Sequence, residues 1–381
     1  MNSVEILERL VAFRTVSRDP NLELINWVRE FLSSRSIESR LYPDDTGGKA
    51  NLYATIGPTD RGGVLLSGHT DVVPVEGQRW SSDPFSLFER DGRFFGRGAA
   101  DMKGFLACAL RAADLARARP LTTPLQLAFS YDEETGCIGV RSLIEDMTRW
   151  AHKPQLCIVG EPTMLRTALG HKGKSALTAT CQGRAAHSAN PARGINAIHL
   201  AGELIGTLRQ QQELLGAAPL RDPAYEVPYS TVHVGTIHGG TVLNIVPSRC
   251  ELEFEIRNLP VENAAGIVGN IRGQAEQLCA RYGDPDARID LAVTNQYPGL
   301  ETPADSPVVA LLATLTGNRS TFKVGFGSEA GLFSGELGIP TAICGPGSID
   351  QAHKPDEFIS RDQLQRCDAM MDALLQHLTS R

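Results

Sequence analysis

The sequence lacks the features that would direct the protein to a membrane or to nucleic acid. No apolar run approaches the roughly 20 residues that a membrane-spanning helix needs. Basic residues are outnumbered, with 37 Lys and Arg against 44 Asp and Glu, and the net charge of −7 has the wrong sign for a nucleic-acid surface. Residues 1–7 lack the basic and apolar segments of a signal peptide and are typical of an amphipathic helix. We therefore expect no membrane and no nucleic acid among the partners.

Cysteine pairs with the spacing of metal-binding or redox motifs are also missing. The eight cysteines are scattered and none forms a Cys-x-x-Cys pair; they lie at positions 108, 137, 157, 181, 250, 279, 344 and 367. A disulfide framework is not expected in a chain of this length, so the pattern predicts free, buried thiols in a reducing cytosol and a cytoplasmic protein. Cys137, close in sequence to an acidic pair, is interpreted as a packing residue.

The length and the order of predicted elements indicate two domains. The 381 residues are too many for one ordinary hydrophobic core. Strand and helix patterns alternate in residues 1–174 and again in residues 294–381, which predicts an α/β domain with a mostly parallel mixed sheet flanked by helices. Residues 175–293 follow the order β-α-β-β-α-β of the split βαβ sandwich. We predict that this segment is a small domain inserted into the larger one.

A histidine and an aspartate follow a predicted buried strand at residues 64–67. The strand ends at Gly68, and His69 and Asp71 come next. Residues two apart in an extended segment point the same way, so these two side chains share a face. A metal-bound histidine commonly donates its second ring N–H to a carboxylate, which fixes its tautomer. The pair fits a metal ligand with its orienting partner, and a capped loop histidine is the alternative.

Other acidic and histidine side chains follow Gly-rich turns or predicted strands elsewhere in the chain. They are Asp101, Glu133, Glu134, Glu161 and His353. Because α/β sheets bind ligands beyond the carboxyl ends of their strands, we expect these side chains to converge on one metal centre. Zinc accepts imidazole nitrogen and carboxylate oxygen, and five ligands fit two metal ions that share a bridging carboxylate.

Glu133 is not needed as a ligand in this count. A carboxylate beside the ligands can take a proton from the bridging water and deliver it to a leaving nitrogen. The alternative is that Glu133 and Glu134 form a solvated acidic turn. Their position directly after a buried strand disfavours this alternative. The sequence does not identify the metal, because sites of histidine and carboxylate bind zinc, cobalt or manganese.

Three residues of the predicted insert are candidates for contacts with a substrate. His187 has small neighbours and could donate a hydrogen bond to a tetrahedral oxyanion. Asn244 and Arg257 could hold a substrate carboxylate, for which the guanidinium fork is suited. The alternatives are a loop histidine at a domain surface and, for Arg257, a plain surface charge.

Four stretches resemble motifs of the di-zinc aminoacylase and carboxypeptidase-like family. They are residues 67–74 (SGHTDVVP), 96–104 (GRGAADMKG), 132–136 (DEETG) and 160–163 (GEPT), and they follow the order of that family. The resemblance implies a zinc-exopeptidase-like catalytic domain, formed by residues 1–174 and 294–381. It also implies that the ferredoxin-like insert at residues 175–293 is a lid and dimerisation domain, so that the protein is a homodimer.

The resemblance assigns two zinc ions to the five candidate ligands, with cobalt or manganese as substitutes. His69 and Glu161 would hold one ion. Glu134 and His353 would hold the other. Asp101 would bridge the two ions.

The resemblance also implies roles around the metal centre. Asp71 would orient His69, and Glu133 would be the general acid and base. The peptide bond Asp101–Met102 would be cis. His187 would reach the active site of the partner subunit.

Three further stretches resemble the members of the family that act on N2-acetyl-L-ornithine. They are residues 170–173 (GHKG), 327–333 (GSEAGLF) and 344–358. They imply hydrolysis of the acetyl amide to L-ornithine and acetate, a step of arginine biosynthesis. Ser328 and Glu329 would contact the substrate, with Glu329 meeting its side-chain ammonium.

Other activities of the same scaffold remain alternatives. They are a succinyl-diaminopimelate desuccinylase, a general aminoacylase and a dipeptidase, all of which act on an N-acyl amino acid or peptide amide. The metal ligands cannot separate them, because the scissile amide is common to all. A metal-binding protein without catalysis would be expected to have lost Glu133 or a ligand, and neither is missing.

Overall fold

The computed structural model describes residues 1–379, which form two compact units. The larger unit comprises residues 1–170, residues 300–323 and the chain from residue 328 onward. The smaller unit comprises residues 171–299 and 324–327, and the predicted insert lies within it. No helix in residues 1–379 has the length and apolar character to cross a membrane.

The first part of the larger unit alternates between helices and strands. Its elements are α1 (Ser3–Ala12), α2 (Leu22–Ser33), β1 (Ser39–Pro43), β2 (Ala50–Ile56), β3 (Val64–His69), β4 (Phe88–Arg90), β5 (Arg93–Phe95), α3 (Gly104–Ala116), β6 (Leu125–Ser130), α4 (Val140–Met147), β7 (Leu156–Pro162) and β8 (Thr167–His171).

The smaller unit contributes the next six elements. They are β9 (Gly173–Gln182), α5 (Ala197–Ala217), β10 (Thr231–Gly239), β11 (Arg249–Asn258), α6 (Ala264–Tyr282) and β12 (Arg288–Tyr297), in the order β-α-β-β-α-β. The strands form an antiparallel sheet in the order β10-β11-β9-β12. Every second residue of β9 is buried, since one face of the sheet packs on the two helices while the other face stays more accessible.

The chain then completes the larger unit. The last elements are β13 (Leu300–Glu301), α7 (Pro307–Thr316), β14 (Thr321–Val324), α8 (Ala330–Leu337), β15 (Thr341–Gly345), β16 (Phe358–Ser360) and α9 (Arg361–Thr379). The main sheet has the order β1-β2-β6-β3-β7-β15-β8-β13, with β14 paired to β8. Strands β6, β3, β7 and β15 run parallel at its centre, and the flanking pairs β1–β2, β2–β6 and β15–β8 are antiparallel. The predicted mixed sheet flanked by helices is confirmed.

The core of the larger unit is built from helices with apolar stripes and from strands buried on both faces. Helix α1 starts at a capping box between Asn2 and Glu5, and its apolar residues pack inward. Helix α3 is apolar nearly all round and almost entirely buried, as expected for a helix without a solvent face. The central strands β3 and β6 are buried along their whole length. This rigid centre fixes the strand ends from which the candidate ligands project.

Candidate metal centre

The candidate ligands follow adjacent strands of the parallel centre of the sheet. His69 is the last residue of β3, and Glu161 lies near the end of β7, which pairs with β3. Glu133 and Glu134 follow β6, the other neighbour of β3, whose end is level with His69. Parallel strands present their carboxyl ends at one edge, so three strands converge here, as the sequence predicts.

His69 is buried and its ring is held at both nitrogens. Nδ1 lies 2.9 Å from the backbone carbonyl of Asp71, and 3.6 Å from the nearer carboxylate oxygen of that residue. Nε2 lies 3.1 Å from Oδ1 of Asp101 and 4.0 Å from Oε1 of Glu161. A ring that donates from Nδ1 to the carbonyl leaves the Nε2 lone pair available to a metal ion. The ring therefore donates to the main-chain carbonyl of Asp71, and the predicted partner, the Asp71 carboxylate, lies farther away.

The Asp71 carboxylate instead organises the acidic turn after β6. Its Oδ1 accepts a hydrogen bond from the N–H of Glu133 at 3.1 Å, and Oδ2 accepts one from the N–H of Glu134 at 3.2 Å. The hydroxyl of Ser17 donates to Oδ2 at 2.7 Å. Sequence reasoning missed Ser17, because a lone serine 54 positions away carries no pattern.

Asp101 faces both histidines, one with each carboxylate oxygen. Oδ1 lies 3.1 Å from Nε2 of His69, and Oδ2 lies 3.4 Å from Nε2 of His353. The same His353 nitrogen is 3.1 Å from Oε2 of Glu134. The peptide bond between Asp101 and Met102 is cis, which confirms that prediction. An aspartate shared by two imidazoles has the arrangement expected of a bridging ligand.

The donor atoms are close enough to hold cations. Within residues 1–379, two groups have their ligand atoms all within 4.8 Å of one another. The first is His69, Glu133 and Glu161, and the second is His69, Asp101 and Glu134. His353 joins the second group through its contacts with Asp101 and Glu134. Imidazole and carboxylate donors of this kind fit zinc, cobalt or manganese.

The electrostatics of the centre favour a cation. Burial raises the pKa of Glu161 well above its ordinary value, and the neighbouring Asp101 raises it further. Burial likewise raises the pKa of Glu133, with Glu134 adding to the effect. Hydrogen bonds to Asp101 and Glu134 raise the pKa of His353 to about 10. Several carboxylates therefore compete for two imidazoles, a charge arrangement that divalent cations stabilise.

Glu133 belongs by distance to the first of these two groups of ligand atoms and is largely buried. The thiol of Cys137 donates to its Oε1 at 3.2 Å. Cys137 is 1% exposed, and its burial raises the pKa of the thiol well above the usual range, so it stays protonated at neutral pH. The thiol therefore packs against Glu133 and also steadies its carboxylate. All eight cysteines are free, and all but Cys279 are buried.

Ser328 and Glu329 are buried at the start of α8. The hydroxyl of Ser328 accepts from the N–H of Ala330 at 3.2 Å. The carboxylate of Glu329 accepts one hydrogen bond from Ser67 at 3.1 Å and another from Ser130. Ser67 lies two residues before His69 in β3, and Ser130, the last residue of β6, lies three residues before Glu133. Contact of Glu329 with a substrate ammonium stays a prediction, since the side chain is only 1% exposed here.

The three candidates in the smaller unit lie in two places: His187 and Asn244 in adjoining segments outside the strands, and Arg257 on β11. The segments of His187 and Asn244 adjoin, because the N–H of Ser188 donates to the Asn244 carbonyl at 3.0 Å. His187 is exposed, and its Nδ1 accepts from the N–H of Ala189 at 3.0 Å. Arg257 lies on β11 and donates to Glu255 at 3.0 Å and to the Tyr297 hydroxyl at 3.1 Å. Their contact with a substrate stays a prediction.

Known proteins are similar to this chain in sequence and in fold. A family model described as Peptidase family M20/M25/M40 matches residues 65–377. An acetylornithine deacetylase of Pasteurella multocida is 35% identical over 381 residues, which cover 98% of this chain and 97% of that protein.

Two solved structures show the same fold at low sequence identity. An M20 family metallo-carboxypeptidase from Sulfolobus solfataricus superposes with a TM-score of 0.79 at 20% identity, covering 100% of this chain and 99% of that one. A dinuclear metal-binding M20 peptidase from Bacillus subtilis superposes with a TM-score of 0.68 at 16% identity, covering 100% and 98%.

Proposed function

Since this chain belongs to peptidase family M20/M25/M40, whose members include metal-dependent hydrolases of N-acyl amino acids, we propose that its substrate is N2-acetyl-L-ornithine. Hydrolysis of the acetyl amide would give L-ornithine and acetate, a reaction of arginine biosynthesis in the cytoplasm. The name of the relative from Pasteurella multocida supports the substrate. The observation that carries the chemistry is the Asp101 carboxylate, which faces His69 with one oxygen and His353 with the other.

We assign two divalent ions, zinc in the first place, to the converging donors. His69 and Glu161 would hold one ion, Glu134 and His353 the other, and Asp101 would be shared. Such ions act as Lewis acids on the amide carbonyl and lower the pKa of water. Cobalt or manganese would serve in place of zinc, because the donor set suits all three.

Glu133 would carry the proton during hydrolysis. It takes a proton from the water whose oxygen attacks the acyl carbon, and it gives that proton to the amino nitrogen when the C–N bond breaks. Asp71 supports this role by holding the N–H of Glu133, and Cys137 supports it by donating to the carboxylate. The carboxylate therefore needs no rearrangement to stay beside the donor set, which lowers the cost of each proton transfer.

A homodimer formed through the smaller unit would complete the site. Strand β10 is an edge strand with mostly exposed residues, among them Ile237, and exposed apolar side chains follow it: Val242, Leu243 and Ile245. An exposed edge next to an apolar patch is typical of a protein interface. His187 pairs with Ile245, so its imidazole lies at this same patch. It would enter the partner subunit's site and donate to the oxyanion.

The remaining substrate contacts are assigned to four side chains. Asn244 and Arg257 would bind the α-carboxylate of the substrate, because an amide and a guanidinium both donate to it. Ser328 and Glu329 would line the side-chain end of the pocket. The carboxylate of Glu329 would meet the ornithine ammonium if the start of α8 opens.

The test compares three substrates on the zinc-loaded protein. Acetate release from N2-acetyl-L-ornithine and from acetyl-methionine is measured beside succinate release from N-succinyl-diaminopimelate. We expect the highest kcat/KM for acetylornithine, and loss of that activity in Glu133→Gln with both metal ions still bound. Equal rates on all three would indicate a general aminoacylase, and preference for the succinyl compound a desuccinylase. No hydrolysis by the metal-loaded protein would refute the proposal.

A further inference from the structure

A buried ion pair to which the proposed function assigns no role joins the motif stretches that carry Asp101 and His353. Nη1 of Arg97 lies 2.7 Å from Oε2 of Glu357, and both side chains are 1% exposed. Arg97 lies in the turn that leads to Asp101, and Glu357 follows His353 by four residues. Charges at this depth are tolerated only when they are paired and hydrogen-bonded, so the two side chains act as a unit.

The Glu357 carboxylate binds the backbone of the loop that carries Asp101. Besides the bond from Arg97, Oε2 accepts a hydrogen bond from the N–H of Gly98 at 3.0 Å. Oε1 accepts hydrogen bonds from the N–H groups of Ala100 at 2.9 Å and Asp101 at 3.0 Å. The loop can wrap the carboxylate because Gly98 adopts a φ of +80°, in the left-handed region that favours glycine. Successive N–H groups around one anion fix the loop, and they fix the backbone of Asp101 directly.

A second branch of the network reaches His353. Nη2 of Arg97 donates to Oε1 of Gln78 at 2.6 Å, and Nε2 of Gln78 donates to the carbonyl of His353 at 2.9 Å. Trp80 also donates to Oε1 of Gln78, at 3.1 Å, which favours this orientation of the amide. His353 has a φ of +62°, a conformation that a non-glycine residue keeps only when its surroundings hold it.

We propose that Glu357 is a positioning residue of the metal centre and that Arg97 and Gln78 connect it to His353. The carboxylate holds the Asp101 loop, and the guanidinium and amide hold the His353 loop against it. The two loops come from segments more than 250 residues apart in the chain, so nothing local in the sequence sets their distance. The inference rests on the proposed function in one respect, that Asp101 and His353 are metal ligands.

The network acts on one of the two proposed metal positions more than on the other. His69 is oriented by the backbone of Asp71, and the acidic turn after β6 is held by the Asp71 carboxylate. His353 depends on Gln78 and Arg97. We therefore expect the ion held by His353 to be weakened when the network is broken, and the ion held by His69 to be weakened less.

The experiment measures metal affinity, independently of any substrate. Zinc is titrated against a chromophoric chelator, and cobalt is titrated with its visible absorption as a signature of ligand geometry. For Glu357→Gln we expect one ion to bind nearly as in the wild type and the second to bind about 10–100-fold more weakly, as for other partners of metal ligands. Gln78→Ala leaves the buried ion pair in place, and we expect the same change at smaller size.

A matched control separates positioning from general stability. Asp114→Asn breaks the half-buried pair that Asp114 makes with Arg35 at 2.9 Å, away from the metal centre. We expect it to lower the melting temperature and to leave both metal affinities and the cobalt spectrum unchanged. If it weakened the second ion as Glu357→Gln does, general destabilisation would explain the effect and the inference would be overturned.

Two other outcomes decide the remaining cases. A folded Glu357→Gln that binds both ions with wild-type affinity and spectrum overturns the inference. If Glu357→Gln does not fold, Gln78→Ala is the deciding variant. A Gln78→Ala protein that binds the second ion with wild-type affinity also overturns the inference. A wild-type protein that binds fewer than two ions overturns the metal assignment of the proposed function, which is a separate failure.

Discussion

Replacing Glu329 by glutamine should stabilise the metal-free protein at alkaline pH. Glu329 is 1% exposed, and within residues 1–379 its carboxylate accepts hydrogen bonds only from the hydroxyls of Ser67 and Ser130. Burial raises its pKa from the ordinary 4.5 to about 7, and the serine hydrogen bonds offset only part of that effect. The amide of glutamine has the same shape without the charge, and a serine hydroxyl can turn to accept from its NH₂.

The magnitude and the sign follow from the raised pKa. One pKa unit corresponds to about 1.4 kcal/mol, so ionising Glu329 in the folded state costs roughly 3 kcal/mol. The folded protein binds the proton more tightly than the unfolded chain, so its free energy of unfolding falls as the pH rises from about 4.5 through 7. Glu329→Gln lacks this dependence. We expect the two proteins to be similar near pH 5 and the variant to be more stable by up to about 3 kcal/mol near pH 8.

Urea unfolding followed by tryptophan fluorescence measures this difference. The three tryptophans, at positions 27, 80 and 150, all lie in the larger unit, so their signal reports on the unit that contains Glu329. Glu336→Gln removes an exposed carboxylate from the same helix α8 and serves as the control. A Glu329→Gln protein that is less stable than the wild type at pH 8, or a difference that does not change with pH, would refute the reasoning.

Three further predictions concern the candidate metal centre and the proposed dimer. Asp71→Asn should lower kcat about 10–100-fold with little change in KM, because the acidic turn after β6 loses one of the two carboxylate oxygens that accept its N–H groups. Steady-state kinetics at full metal loading measures both constants, and a rise in KM as large as the fall in kcat would contradict the prediction. Removing the metal with a chelator should lower the melting temperature, since zinc at 100 times its Kd adds about 2.7 kcal/mol to the free energy of unfolding. A melting temperature that does not respond to zinc would contradict this prediction. Mixing inactive Glu133→Gln and His187→Ala chains should restore about a quarter of the wild-type activity, because half of the dimers would hold one complete site; no recovery after subunit exchange would show that His187 does not act across the dimer.

Selectivity for ornithine tests a different property of Glu329. If its carboxylate meets the substrate ammonium, Glu329→Gln should lose the preference for acetylornithine over acetyl-methionine while both metal ions stay bound. Unchanged selectivity together with the stability change described above would limit Glu329 to a structural role between β3 and β6. The two measurements are independent, because one uses the metal-free protein and the other the loaded enzyme.

The convergence of the candidate ligands could be predicted from the sequence because most of them follow a recognisable local pattern. His69 ends an apolar strand, and Glu133 and Glu134 follow another; such strands end at one edge of a parallel sheet whatever the rest of the chain does. The partners of Asp71 could not be predicted in the same way. The spacing of two residues predicts that its carboxylate contacts His69, whereas in the structure its carbonyl contacts the ring and its carboxylate binds the turn after β6.

The amino-acid sequence by itself determined the family, the mixed α/β sheet and the positions of the candidate ligands, since apolar periodicity and strand-end motifs are properties of short segments. Only the tertiary structure decided how these side chains are held. The contacts of Glu357 with the Asp101 loop and of Glu329 with Ser67 join residues 256 and 262 positions apart. Hydrogen bonds of this kind require the distance between separate segments to be correct to within a few tenths of an ångström, which packing sets and no local pattern records.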